Sequence, residues 1–148
     1  MAAIRKILVA TDFSPIAVHA QKIALELARP LGAEVTVLHV YALPTYLFVD
    51  GSTYVPPAKV VADILSDAAR GLAAAVDAAA SSGVTVTTVS AEGDPAEAIV
   101  RYADEHRFDL VVLGTHGRRG LARLALGSVA EHVVRAAKVP VMTVHAER

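Results

Sequence analysis

The sequence predicts an α/β fold, in which a doubly wound parallel sheet of five strands carries helices on both faces. Short apolar runs alternate with stretches of helical periodicity along all 148 residues. Several of the runs are almost continuously apolar, which is typical of parallel strands covered on both sides. The length suits one domain over residues 1–148, large enough to bury a core without disulfides.

The strands are predicted from apolar runs that lie between turn residues. In chain order they are Lys6 to Thr11, Glu34 to Tyr41, Val84 to Ser90, Asp109 to Leu113 and Val139 to His145.

The helices are predicted from capping residues and apolar stripes. Helix one has Ser14 as its cap and Pro15 at its first position, and Pro30 and Gly32 mark its end. Helix three begins at Asp94-Pro95 and helix four at Ser128. Helix two runs from about Lys59 to Ala80, with an expected buried face of Val61, Ile64, Leu65, Ala68, Leu72, Val76 and Ala79.

Composition excludes several classes of protein. The chain has no cysteine, so disulfide scaffolds, thiol catalysis and thiolate metal sites are excluded. The net charge is −1 and no basic stripe is present, so we expect no nucleic-acid partner. No apolar stretch is long enough to span a bilayer, and the N-terminal residues lack the apolar core and cleavage site expected of a signal peptide. We expect a cytoplasmic protein without a membrane partner.

The most informative motif is Gly114-Thr115-His116-Gly117, followed after nine residues by Gly127-Ser128. The first two glycines follow a predicted strand, and Gly127-Ser128 stands at the start of a predicted helix. A helix start offers backbone N–H groups and the positive end of the dipole, so the motif predicts a phosphate site. Alternatively, the glycines serve only to allow turns between a strand and a helix, and Ser128 serves only as a helix cap.

Ligands of such sheets bind at the carboxyl ends of strands, where the strand order reverses. If strands one and four are neighbours, the crevice lies between the loop from Ala10 to Ser14 and the loop from Gly114 to Gly117. Asp12 then lies at the rim, where it could accept hydrogen bonds from ribose or adenine. It could also be a loop carboxylate near the start of a helix.

Several segments together resemble the universal stress protein family. They are Val9-Ala10-Thr11-Asp12-Phe13-Ser14, Thr36 to Val40, Gly93-Asp94-Pro95 with Ala98-Ile99, and Val139 to Val144. The glycine motif is similar to that of the ATP-binding branch. The resemblance covers the chain except for residues 42–58.

This resemblance implies a sheet order of 3-2-1-4-5 and bound ATP, with or without Mg²⁺. It places Thr11 and Asp12 near adenine and ribose, and Val40 and Leu113 in the base pocket. Ribose and phosphate would be covered by Gly114 and Gly117, and the phosphate tail held by Gly127, Ser128 and Val129.

Other residues leave alternatives open. His116 could donate to a phosphate or be a tolerated loop residue, and Arg118, Arg119 and Arg123 could contact a polyphosphate or be solvated. The segment from Ala42 to Ala58 could be a cover or a surface insertion.

Three functions follow as hypotheses. The first is an ATP-binding stress-response protein that acts as a nucleotide-dependent switch or sensor, with slow hydrolysis at most. The second is an ATPase or nucleotidyl transferase on the same scaffold. The third is an interaction module that binds no nucleotide. No catalytic residue is identified, because a P-loop lysine and a Gly-x-Ser-x-Gly motif are both missing from the sequence.

Strand five, from Val139 to His145, is the last strand and should form a sheet edge. Its valines make that edge strongly apolar, and bare edges of this kind invite pairing with another chain. We therefore expect a homodimer through strand five, which the family resemblance also implies.

Overall fold

Five parallel strands and a separate hairpin make up the β structure of the computed structural model, which describes residues 3–116 and 126–146. The strands are β1 Lys6–Thr11, β2 Glu34–Tyr41, β3 Tyr46–Leu47, β4 Thr53–Tyr54, β5 Val86–Glu92, β6 Leu110–Gly114 and β7 Val141–Val144. The parallel sheet has the order β5-β2-β1-β6-β7. This confirms the predicted order of 3-2-1-4-5 for the five strands expected from the sequence.

Four helices lie in the described part of the chain: α1 Pro15–Leu31, α2 Ala58–Ala79, α3 Pro95–Glu105 and α4 Ser128–Ala136. The Ser14 hydroxyl accepts a hydrogen bond from the Ala17 amide at 3.3 Å, so α1 is capped as predicted. Gly32, at φ 62°, ends this helix, and Pro30 lies inside its last turn instead of ending it. None of the helices in the described ranges is both long and apolar enough to traverse a bilayer.

Alternate residues of the central strands face two apolar cores. Ile7 and Val9 belong to the core that α1 and α2 cover, whereas Leu8 and Ala10 belong to the core formed with α3 and α4. All four side chains are buried. Coverage on both faces accounts for the continuous apolar strands, because neither face of the sheet meets water.

The buried face of α2 differs from the expected one. Ala68, Leu72, Ala75 and Ala79 are buried, while Leu65 and Val76 are 43% and 41% exposed. The cause is that α2 packs over β5, at the edge of the sheet. Leu65 and Val76 line an open cleft of about 470 Å³ between α2 and β5, together with Thr88 and Ser90 of that strand.

The segment from Ala42 to Ala58, expected to be irregular, contains the antiparallel hairpin of β3 and β4. Tyr46 and Tyr54 pair across it with ring centroids 5.9 Å apart. At its turn, the hydroxyl and the amide of Ser52 donate to the carboxylate of Asp50 and lower the pKa of that group. Apart from this hairpin, the described elements match the predicted ones, with bounds that differ by up to two residues.

Candidate functional site

A crevice opens where the strand order reverses, between β1 and β6. The ladder between these strands ends at the pair Val9–Val112. On its other side β1 continues to pair with β2 as far as Thr11–His39. β6 likewise pairs with β7 as far as Gly114–Val144. The carboxyl ends of β1 and β6 are therefore each held by an outer neighbour but not by one another, which leaves a gap at the position where doubly wound sheets bind ligands.

The loop after β1 forms the first wall of the crevice, and its own side chains fix its shape. The Thr11 hydroxyl accepts from the Phe13 amide at 3.0 Å, and the Asp12 carboxylate accepts from the Ser14 amide at 3.0 Å. The two bonds hold Phe13 at φ 63°, a left-handed conformation that non-glycine residues seldom adopt. One oxygen of Asp12 thus supports the loop, and this half-buried carboxylate lies at the rim.

Phe13 anchors this wall to the core, a role that the sequence analysis missed. Its ring lies 4.3 Å from the His39 ring, centroid to centroid, and His39 Nδ1 bonds to the Thr11 carbonyl at 2.9 Å. On the other side, a Cβ on Gly71 would lie 2.5 Å from the Phe13 ring. A glycine in the middle of an alanine-rich helix was the available signal, because it marks close approach of another group.

The floor of the crevice is apolar. Ala10, Val40 and Leu113, three residues predicted to line the site, belong to one cluster on the α3–α4 side of the sheet. Ala10 and Leu113 are buried, whereas Val40 is half-buried. The structure therefore brings together side chains that can pack against one face of a flat aromatic ligand.

The second wall begins at Gly114 and Thr115. A Cβ on Gly114 would lie 2.5 Å from Cγ2 of Ile16, so close packing of α1 on β6 already requires a glycine there. Thr115 is 1% exposed and joins three elements. Its amide donates to Val144 of β7 at 2.9 Å, its carbonyl accepts from Gly127 at 2.7 Å, and its hydroxyl bonds to His116 Nδ1 at 3.1 Å.

The bond from Gly127 to Thr115 brings the N-terminus of α4 to the crevice. Gly127 is the N-cap residue, and a Cβ on it would stand 2.8 Å from the Thr115 carbonyl oxygen. Its amide is engaged by that carbonyl, so the free amides of this helix start are those that follow Gly127. Ser128 and Val129 occupy the first turn, whose N–H groups have no acceptor within the helix. Ser128 is exposed and Val129 half-buried.

Gly117, Arg118, Arg119 and Arg123 lie outside the described residues, so their predicted contacts are not placed. The described residues bring the other predicted positions to one end of the sheet: Ala10, Thr11, Asp12, Val40, Leu113, Gly114, Gly127, Ser128 and Val129. The resulting site has an apolar floor, a carboxylate on one side and a helix N-terminus on the other. These features suit a ligand with an aromatic base, hydroxyl groups and an anionic end.

Comparison with known sequences identifies relatives over nearly the whole chain. The model of the universal stress protein family matches residues 3–145. Universal stress protein MJ0531 of Methanocaldococcus jannaschii is 36% identical over 143 residues, covering 95% of this chain and 81% of that protein. Universal stress protein YxiE of Bacillus subtilis is 34% identical over 144 residues, covering 94% and 97%.

Solved structures of similar proteins share the fold. UspA from Lactobacillus plantarum superposes with a TM-score of 0.79 at 30% identity, covering 97% of this chain and 99% of that one. A universal stress protein in complex with cAMP gives 0.71 at 28% identity, covering 99% and 100%. The universal stress protein from Archaeoglobus fulgidus in complex with dAMP gives 0.68 at 25% identity, covering 97% and 99%.

Proposed function

The chain belongs to the universal stress protein family, and on that premise we propose that it binds an adenine nucleotide in the crevice between β1 and β6. The observation that carries the proposal is the early end of the β1–β6 ladder at Val9–Val112. It opens a gap between an apolar floor and the N-terminus of α4. The cAMP and dAMP complexes of two similar structures support an adenine nucleotide as the ligand.

In this proposal each part of the nucleotide meets a different part of the crevice. The base packs on the floor formed by Ala10, Val40 and Leu113. Ribose hydroxyls donate to the carboxylate of Asp12. The phosphates lie at the first turn of α4, where the amides of Ser128 and Val129 and the Ser128 hydroxyl can donate to them. At Thr11, Gly114 and Gly127 the backbone is proposed to approach the nucleotide closely. Gly117 is proposed to cover the phosphates.

We propose ATP, with or without Mg²⁺, as the preferred nucleotide, and weaker binding of ADP and AMP. The reason is electrostatic, since the N-terminus of a helix stabilises additional negative charge. Mg²⁺ enters this proposal as a companion of the triphosphate.

The proposed role is that of a cytoplasmic, nucleotide-dependent switch or sensor in a stress response. Phosphoryl transfer requires a group that positions the attacking water and a cation that stabilises the transition state. The phosphate-binding parts proposed here are mainly backbone amides, which hold a nucleotide without activating water. Hydrolysis is therefore expected to be far slower than the typical enzyme range of about 1–1000 per second.

The direct test is to identify nucleotide that purified protein retains, by mass spectrometry after denaturation. Titration of nucleotide-free protein with ATP, ADP and AMP by calorimetry then ranks the ligands. Adenine nucleotide in the released fraction and saturable ATP binding are the expected results. If no adenine nucleotide binds at millimolar concentration, the proposal is refuted. ATP turnover within the enzyme range would instead favour the ATPase hypothesis.

A further inference from the structure

His116 carries a polar atom that the described structure leaves without a partner. Nε2 of its imidazole is buried, and no described residue lies within hydrogen-bond distance of it. The other ring nitrogen, Nδ1, bonds to the Thr115 hydroxyl at 3.1 Å. Buried polar atoms nearly always have a hydrogen-bond partner, so an unpaired one beside a crevice points to a group that is bound there.

The bond to Thr115 bears on which ring nitrogen carries the proton. Thr115 is 1% exposed, and its hydroxyl is hydrogen-bonded to Nδ1 of His116. In the tautomer that lets this hydroxyl donate to Nδ1, the hydrogen of the neutral ring lies on Nε2. The unpaired atom is then a donor, and its complement is an acceptor such as a phosphate oxygen.

The position of His116 identifies the acceptor further. A Cβ built on Gly127 would lie 3.5 Å from the His116 Cα, so His116 directly adjoins the N-cap of α4. His116 and the first turn of α4 thus adjoin one another on one wall of the crevice. A donor on a residue that adjoins the positive end of a helix dipole favours an anion over a neutral hydroxyl as its partner.

From these contacts we infer that His116 binds a phosphate group of the nucleotide through Nε2–H. The inference rests on the proposed function and adds a side-chain contact to the backbone amides of α4. It also assigns His116 a specificity role. The residue favours phosphorylated ligands over the corresponding nucleoside, because adenosine has no phosphate to offer at the α4 N-terminus.

Two substitutions separate this role from a structural one. Glutamine places its amide nitrogen near the position of Nε2, whereas asparagine places its amide near Nδ1 and so retains the bond to Thr115. His116→Gln should keep ATP affinity within about threefold, while His116→Asn and His116→Ala should each lower it about tenfold, as expected for a charge-assisted bond. His132→Ala, an exposed position on α4, is the matched control and should not change it.

Each variant is titrated by calorimetry with ATP and with adenosine, after circular dichroism has shown that its melting temperature remains near that of wild type. Histidine-selective ¹⁵N NMR of wild type, assigned with His116→Gln, adds a readout independent of stability.

We expect the adenosine affinity to be unchanged in all variants. We also expect the His116 Nε2 resonance to shift with ATP but not with adenosine. Equal ATP affinity of wild type and His116→Asn, or an unmoved Nε2 resonance at ATP saturation, would overturn the inference while leaving nucleotide binding intact. If wild type binds no adenine nucleotide, the proposed function fails as well.

Discussion

Gly127 allows the N-cap of α4 to touch the end of β6. Its φ of −61° is open to any residue, so the need for glycine there is steric. A side chain would begin 2.8 Å from the Thr115 carbonyl oxygen, which is itself the acceptor of the Gly127 amide. Both sides of that contact are backbone, so neither can move without shifting β6 or α4.

We therefore predict that Gly127→Ala lowers the free energy of unfolding by about 1–3 kcal/mol, the usual cost of overpacking. ATP affinity should fall too, because the amides of α4 move away from the crevice. Urea unfolding and calorimetry measure the two effects. Ser128→Ala serves as the control for stability, since this exposed side chain should contribute less than about 0.5 kcal/mol to it. Wild-type stability in Gly127→Ala would contradict this account of α4.

Asp12 combines a structural and a proposed binding role, and an amide separates them. In Asp12→Asn, the side-chain carbonyl oxygen can still accept from the backbone N–H of Ser14. The side-chain NH₂ group then takes the place of the carboxylate oxygen that is proposed to accept from ribose. We predict a loss of roughly 1–3 kcal/mol of ATP binding with near-wild-type stability. Calorimetry and thermal melting measure these.

The matched control is Asp50→Asn, which alters an equivalent bond at 2.9 Å to the Ser52 amide in the hairpin of β3 and β4. That change should not weaken ATP binding. If Asp12→Asn and Asp50→Asn bind ATP equally well, Asp12 does not contact the ligand.

The glycine motif shows how far sequence can predict individual residues. A glycine indicates that a Cβ is excluded, but the sequence does not reveal which atom excludes it. Gly114 and Gly127 were both expected to face the ligand. In the structure, a Cβ on Gly114 would clash with Ile16, and a Cβ on Gly127 would clash with the Thr115 carbonyl. Thr115 itself carries no sequence signal, since two of its three bonds, those to Gly127 and Val144, join elements distant in the chain.

At the scale of elements, the contact between α2 and the loop after β1 links stability to the site. Alanine is favoured over glycine by about 1 kcal/mol inside a helix, so Gly71→Ala in isolation should stabilise α2. Here the new methyl would meet the Phe13 ring at 2.5 Å, and that ring is already packed on His39. Steric conflict is expected to outweigh the gain in helix propensity.

We predict that Gly71→Ala destabilises wild type by about 1–3 kcal/mol but stabilises a Phe13→Ala background by up to about 1 kcal/mol. Urea unfolding of the four proteins gives the coupling energy directly. The same sign of effect in both backgrounds would show that the Phe13 ring does not limit residue 71.

Strand and helix order could be predicted because apolar runs, caps and turn residues are local signals. The hairpin of β3 and β4 could not, because strands of two residues carry no periodicity. The buried face of α2 was predicted wrongly at Leu65 and Val76 for another reason. Apolar spacing identifies a stripe, but the position of the helix at the edge of the sheet decides how much of that stripe is covered.

At the scale of the whole molecule, β5 and β7 are the two edges of the parallel sheet. On β7, the carbonyls of Pro140 and Val144 accept from Val111 and Thr115 on the β6 side. Since the N–H and C=O of one residue point the same way and the direction alternates along a strand, those of Val141 and Thr143 face outward. Val141, Met142 and Thr143 are also only half-buried.

These outward groups support the expected homodimer through Val139 to His145. A two-fold axis near Met142 would pair Val141 of one copy with Thr143 of the other, in both directions. We predict that Val141→Pro removes one such donor from each copy. The dimer should then weaken by about 2 kcal/mol, or roughly 30-fold in dissociation constant. Light scattering and sedimentation at micromolar concentrations measure the shift.

Two further variants separate the edge from the fold. Val141→Ala keeps the outward amide and should weaken the dimer less than Val141→Pro. Met142→Pro removes an amide that faces β6, so it should destabilise the monomer itself, because proline breaks a ladder bond inside the sheet. A monomeric wild type would refute the dimer. A folded Val141→Pro variant with an unchanged dissociation constant would instead place the contact between copies elsewhere, for example on the open edge of β5 beside α2.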